Sequence, residues 1–239
     1  MRIAILSDVH GNRTAFEAVL SDIRDASPDI VFHGGDLADG GSSPVEIVDH
    51  IRDLGWTGVV GNTDEMLARP PIFEAFAAER PHLHAIWKAA RAMASLTREL
   101  LGEDRLEWLR NLPIQQIRES LALVHARPET AWNSPMPGAS DDELELTYSP
   151  LNRALAAYGH IHLPYVRKTS KLTIANAGSV GMPHDGDRRA SYLLLDGEIA
   201  TPRRVEYDVD REIRNLKTCG IPHWEWIAKT LLTAEPQMP

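Results

Sequence analysis

The chain holds one cysteine among 239 residues, so neither a disulfide framework nor a cysteine-based zinc cluster is open to it. It also lacks long hydrophobic runs. The first apolar stretch, Ile3–Leu6, is too short for a signal sequence, and no later one approaches the about 20 residues of a membrane span. A cytoplasmic location and no membrane partner are the resulting expectations. Positive charge is scarce: 25 Lys and Arg stand against 34 Asp and Glu, a net −9, which weighs against a nucleic-acid duplex as partner. With 43% hydrophobic and 25% charged residues, disordered, collagen-like and coiled-coil classes are excluded as well. What remains is an ordinary globular composition with one odd feature, its ten histidines.

Short apolar runs alternate with helical patterns over the first third. Arg2–Ser7 predicts a strand, after which Phe16, Val19, Leu20 and Ile23 recur at helical spacing. Asp29–His33 predicts a second strand. Ser43-Pro44 opens a helix with Val45, Val48, Ile51 and Leu54 on one face, and Trp56–Val60 predicts a third strand. This alternation predicts an α/β fold with ligands at the carboxyl ends of strands. Residues 66–113 break the rhythm: Leu83–Leu101 fits a long amphipathic helix and Leu106–Leu109 a short one, giving a helical insertion or cap within one domain spanning 1–239. Ser120–Val124 and the alanine-containing Leu155–Tyr158 predict further strands around a short helix at Asp141–Tyr148. Strands at Leu163–Arg167, Leu172–Ala175, Ser191–Leu195 and Ile199–Tyr207, with Asp196-Gly197 as a hairpin turn, predict a second, more antiparallel sheet. Residues 210–239 read as C-terminal helices and a loose tail.

The strand ends carry Asp8, His10, Asp36, Asn62, His125, His160 and His162. Imidazole, carboxylate and amide oxygen without thiolate suit Mn, Fe, Co, Ni or Zn. Seven groups exceed one tetrahedral ion and suit two divalent ions about 3.5–4 Å apart, sharing a carboxylate. Singly, each piece is ordinary turn or core chemistry. Together, in this order and each after an apolar run, they predict a shared metal site.

The ordered set Asp8-Val9-His10, Gly35-Asp36, Gly61-Asn62-Thr63-Asp64, His125 and Gly159-His160-Ile161-His162 resembles the calcineurin-like metallophosphoesterase superfamily. Ser7–Asn12 and Asn176–Gly181 are similar to its small prokaryotic phosphodiesterase-like branch. The resemblance spans about residues 1–205. It implies a two-sheet β-sandwich flanked by helices, the αββα arrangement, with a dinuclear site along one edge. Carried over, Asp8, His10 and His162 would hold one ion, Asn62, His125 and His160 the other, and Asp36 would bridge them. A bridging hydroxide would attack phosphorus in line, giving a phosphodiesterase or phosphatase acting on a small phosphorylated substrate.

One position departs from the family pattern: Thr63 stands where a histidine is usual. A hydroxyl is no general acid near pH 7, and losing such a group costs about 10²–10⁴ in rate, so a bias towards good leaving groups such as aryl esters is expected. The same departure keeps open a weakly active or inactive metal-binding scaffold. Within enzymes, protein phosphatase and dinucleoside polyphosphate hydrolase are the rivals, and the oligomeric state is left open. Asn12 and Arg127 are candidate phosphate contacts, with helix capping and a surface role as their ordinary readings. Asp64 reads as a turn or capping residue, and Asn176–Gly181 as a tight loop. His184, Arg188 and Arg189 are open to a role in reading substrate, with a solvated charged turn as their ordinary reading, and His33, His50, His82, His84 and His223 read as structural.

Overall fold

Strand β1 (Arg2–Leu6) directs Ile3 and Ile5 to one side and Ala4 and Leu6 to the other, in the computed structural model of residues 1–239. That period of two decides the architecture, because both sides must be covered. Helix α1 (Arg13–Ala26) leads to β2 (Ile30–His33), α2 (Pro44–Asp53) to β3 (Thr57–Gly58), and a helical stretch follows as α3 (Asn62–Ala68), α4 (Pro70–Ala78) and α5 (His84–Arg110). Then come β4 (Gln115–Arg118), β5 (Leu121–Val124), α6 (Asp141–Tyr148), β6 (Leu155–Tyr158), β7 (Tyr165–Lys168) and β8 (Thr173–Asn176). The hairpin β9 (Ala190–Asp196) and β10 (Ile199–Val205) precedes α7 (Val209–Cys219) and α8 (Trp224–Thr233).

Ten strands form two mixed sheets of five, in the orders β10-β9-β1-β2-β3 and β4-β5-β6-β8-β7. Within the first, β1, β2 and β3 are parallel; within the second, β5, β6 and β8 are. The sheets meet face to face through Ile5, Phe32 and Leu193 from one and Leu123, Leu155 and Ala175 from the other. Each large apolar side chain so buried contributes about 1.5–3 kcal/mol relative to exposure. The outer face of the first sheet packs against Phe16, Val19, Ile47 and Leu101 of the helices. The second packs against Leu144 and Tyr148 of α6. No helix is long and apolar enough to cross a membrane.

The expected two-sheet sandwich flanked by helices is present, with three differences. The hairpin β9–β10 joins the first sheet, Leu195 pairing with Ile3, rather than a separate antiparallel sheet. Local sequence specifies a hairpin but not which sheet edge receives it. Strand β4 went unread because Gln115-Gln116-Ile117-Arg118 is a half-exposed edge strand with no apolar alternation. The C-terminal tail is tied down, since Trp226 Nε1 donates to the Gln237 carbonyl at 2.9 Å. Elsewhere the agreement is close: α5 breaks at Gly102, φ 67°, between the two helices that the apolar spacing predicts. The alanine-containing β6 is extended because β5 and β8 flank it on both sides.

Candidate metal centre

The carboxyl ends of the parallel strands of both sheets deliver the site. Asp8 and His10 follow β1, Asp36 follows β2, Asn62 opens α3 just after β3, His125 follows β5, and His160 and His162 follow β6. Five of the ten non-glycine residues with left-handed backbone are Asp8, His10, Asp36, His160 and His162, at φ from 49° to 67°. Such conformations cost about 1–3 kcal/mol each and persist only where surrounding structure enforces them. Here the loops enforce them on one another: Asp8 N–H donates to the Gly35 carbonyl and His10 N–H to that of Asp36, both at 3.0 Å. Val180 and Gly181 donate to the Ser7 and Asp8 carbonyls, and Ser179 Oγ donates to Asp8 as well.

All seven predicted residues are brought together. His162 Nε2 lies 3.1 Å from Asp8 Oδ1 and 3.3 Å from His10 Nε2. Asp36 directs one oxygen each way, Oδ2 at 3.7 Å from His10 Nε2 and Oδ1 at 3.6 Å from His125 Nε2. Asn62 Oδ1 lies 3.0 Å from His125 Nε2 and 2.8 Å from His160 Nδ1. Two triads, Asp8-His10-His162 and Asp8-Asp36-His125, have ligand atoms within 4.8 Å of one another, and every member is buried. The tautomers follow from the partners. Nδ1 of His10, His125 and His162 faces the carbonyls of Asp39, Gly34 and Met182, which only accept, so Nδ1 carries the proton and Nε2 is turned to the cluster. Imidazole lone pairs, carboxylates and an amide oxygen thus converge with little but each other to bond. That donor set fits divalent cations.

Comparison with known proteins agrees. The model of the calcineurin-like phosphoesterase superfamily domain matches residues 1–199. The chain belongs to the calcineurin-like phosphoesterase superfamily. An uncharacterized protein of Methanocaldococcus jannaschii is 30% identical, over 93% of this chain and 94% of its own. A metallophosphoesterase crystal structure from Sphaerobacter thermophilus superposes with a TM-score of 0.80 at 27% identity, covering 98% of this chain and 100% of that one. A hypothetical protein of Pyrococcus horikoshii shares the fold, with a TM-score of 0.83 at 20% identity over 99% of both chains. Members of the superfamily characteristically use divalent metals in phosphoester hydrolysis, and the two triads are candidate sites for such ions.

The electrostatics of this calcineurin-like centre are those of a buried, mutually compensated cluster. Burial pushes Asp8 up, but His162, His125 and His10 outweigh it and hold the carboxylate below its usual range. His162 is raised in return, its burial outweighed by Asp8. Burial, with His125 beside it, lowers His160 to about 4.

The remaining candidates divide. Thr63 N–H donates to Asp36 Oδ1 at 2.8 Å, while its hydroxyl is buried without a hydrogen-bond partner. Asn12 caps α1: its Oδ1 accepts from Ala15 N–H, and its Nδ2 donates to the Gly181 carbonyl and Tyr207. Arg127 makes no hydrogen bond or ion pair with any of the seven, and its Nε is buried without a partner. His184 is not a solvated turn residue, because its ring stacks on His162 at 4.3 Å between centroids. Arg189 does belong to an exposed turn, paired with Asp187.

Two positioning residues exceed what the sequence offered. Asp64, fully buried, accepts from the N–H groups of Asp36, Leu37 and Gly61 at 2.8, 3.0 and 3.0 Å, tying the Asp36 loop to the start of α3. Burial and the charge of Asp36 raise it to about 6. Asp39, besides holding His10 by its carbonyl, accepts from Thr97 Oγ1 at 2.8 Å. The signal for Asp64 was its place three residues after Gly61, a helix-start spacing. Nothing local marks Asp39. Glycine is required at Gly61 and Gly159, where a Cβ would strike Asp36 Oδ1 and Asp8 Oδ2 respectively.

Proposed function

We propose that the chain hydrolyses small phosphoesters, as a phosphodiesterase or phosphatase, at a dinuclear site held by Asp8, His10, Asp36, Asn62, His125, His160 and His162. The observation that carries this reading is the pair of buried triads, with Asp36 directing an oxygen to a histidine on each side. Two divalent ions bound there supply an activated water and offset charge on the phosphoryl oxygens. Asp8, His10 and His162 would hold one ion and Asn62, His125 and His160 the other, with Asp36 shared. Thr63 N–H and Asp64 hold Asp36 in place through the hydrogen bonds that each makes. Hydrolysis there would join a water oxygen to phosphorus and break the ester P–O bond, one water proton staying on the new phosphate hydroxyl and the other passing through solvent to the departing oxygen, because the Thr63 hydroxyl is no acid near neutral pH. The same reading takes 1–239 as one domain in the cytoplasm, with 66–113 as a cap.

A second reading, a metal-binding scaffold with little turnover, rests on Thr63 alone. One experiment separates them: an aryl phosphodiester assayed across Mn, Fe, Co, Ni and Zn, beside Asp36→Ala. Activity that needs a metal and disappears in the variant supports the hydrolase. No turnover with any metal, by either protein, overturns it in favour of the scaffold.

A further inference from the structure

A cavity of about 250 Å³ opens beside the cluster, and its lining includes His10, Asn62 and Thr63. Most of its remaining surface is apolar, from Phe73 of α4, Trp87 and Met93 of α5, Trp132, and Trp226 and Ile227 of α8, with Asp39, His184, Thr230 and Gln237 also in the lining. The indole N–H groups of the three tryptophans are already spent, on the Arg80 carbonyl, on Glu65 and on the Gln237 carbonyl. The aromatic part of the wall therefore offers carbon surface and π faces rather than hydrogen bonds. It is also braced. Phe73 stacks on Trp132 at 6.1 Å and meets Trp87 edge-on at 6.0 Å, so the cavity is pre-shaped rather than assembled around a ligand.

We infer that this cavity receives a flat aromatic group esterified to the phosphate, making the enzyme selective for phosphoesters of aromatic alcohols or of alcohols ending in a ring. The inference rests on the proposed phosphoester hydrolysis, and it names the substrate class for that site. Size supports one or two fused rings, since an apolar cavity of about 150 Å³ already admits benzene. Position supports it too: a phosphoryl group beside Asn62 and His10 would have its ester substituent directed to an apolar recess that those residues border. The buried Thr63 hydroxyl, without a partner in the protein, lies at the junction and is placed to bond a phosphate or ester oxygen. With the indole N–H groups engaged, recognition is by shape and stacking, so ring identity is read loosely. Trp226 and Ile227 lie on α8, beyond residues 1–199 matched by the family domain, whereas Phe73, Trp87, Met93 and Trp132 lie within them.

The test uses phosphonates, whose P–C bond is not cleaved, so that leaving-group chemistry contributes nothing. Calorimetry on the Mn-loaded protein compares phenylphosphonate, n-hexylphosphonate and methylphosphonate, with quenching of tryptophan fluorescence as a second readout. Phenyl is expected to bind about tenfold or more tighter than methyl, and tighter than hexyl, with quenching on binding. Trp226→Ala and Trp87→Ala should each collapse the phenyl-to-methyl ratio towards one, whereas Trp226→Phe, which keeps a ring, should retain most of it; circular dichroism verifies folding. Equal binding of phenyl and methyl, or hexyl equal to phenyl, overturns the inference while leaving phosphoester hydrolysis intact. Binding of none of the three, with no ester hydrolysed under any metal, overturns the parent reading and this one with it.

Discussion

The Nε2 atoms of His10 and His162 face each other at 3.3 Å, although each ring has its Nδ1 proton committed to a backbone carbonyl. Two neutral rings so placed would oppose lone pairs; a cation between or beside them removes the conflict. In the chain alone Asp8, 3.1 Å from His162 Nε2, raises the pKa of that imidazole and so favours a proton there. Divalent ions should therefore stabilise the fold by mass action, by about 2.7 kcal/mol at a hundredfold excess over Kd. Thermal unfolding with and without Mn checks this, and His162→Ala should lose most of the rise in Tm. An equal rise in both proteins would place the ion elsewhere.

Asp64 touches Asp36 only through its backbone, yet three N–H groups depend on it. Asp64→Ala should lower metal affinity or kcat about 10–100-fold without loss of secondary structure. Metal titration beside circular dichroism separates that positioning role from simple unfolding.

The leaving-group argument turns on Thr63. Aryl esters are expected to turn over faster than alkyl esters, and Thr63→His should raise the alkyl rate by about 10²-fold or more while changing the aryl rate less. Equal wild-type rates on the two ester classes would count against it.

Away from the site, Ser170 Oγ donates to Glu145 at 2.7 Å and Lys171 pairs with it at 3.2 Å. These partners, Ser170 foremost, hold the carboxyl down from 4.5 to about 2. Because the folded-state pKa is the lower one, the stabilisation is present above about 4.5 and is lost as pH falls towards 2. Glu145→Gln should be less stable than wild type at pH 7, with the gap closing over that window in urea titrations.

Between the sheets, Ile5 is fully buried against residues of both. Ile5→Ala should cost about 2–5 kcal/mol, read as a lower urea midpoint at unchanged m-value.

Much of the site was legible because its chemistry is punctuated: each of the seven residues follows an apolar run, and parallel strands gather their carboxyl ends. The helix at Asp141–Tyr148 and the break near Gly102 were equally visible, since caps and apolar spacing are local signals. Asp39 and the role of His184 were not visible, because their partners, Thr97 and His162, lie far along the chain or across a turn.

Sequence alone determined the residue types of the centre, the strand ends that bear them and the hairpin at Asp196-Gly197. Only the tertiary structure decided that this hairpin joins the first sheet, that five of the site residues take left-handed backbone, and that Trp226 closes a cavity beside Asn62. The physical reason is one of range. Propensity and periodicity act within a few residues, whereas sheet membership, strained loops and cavity walls depend on packing between segments as distant as Asn62 and Trp226.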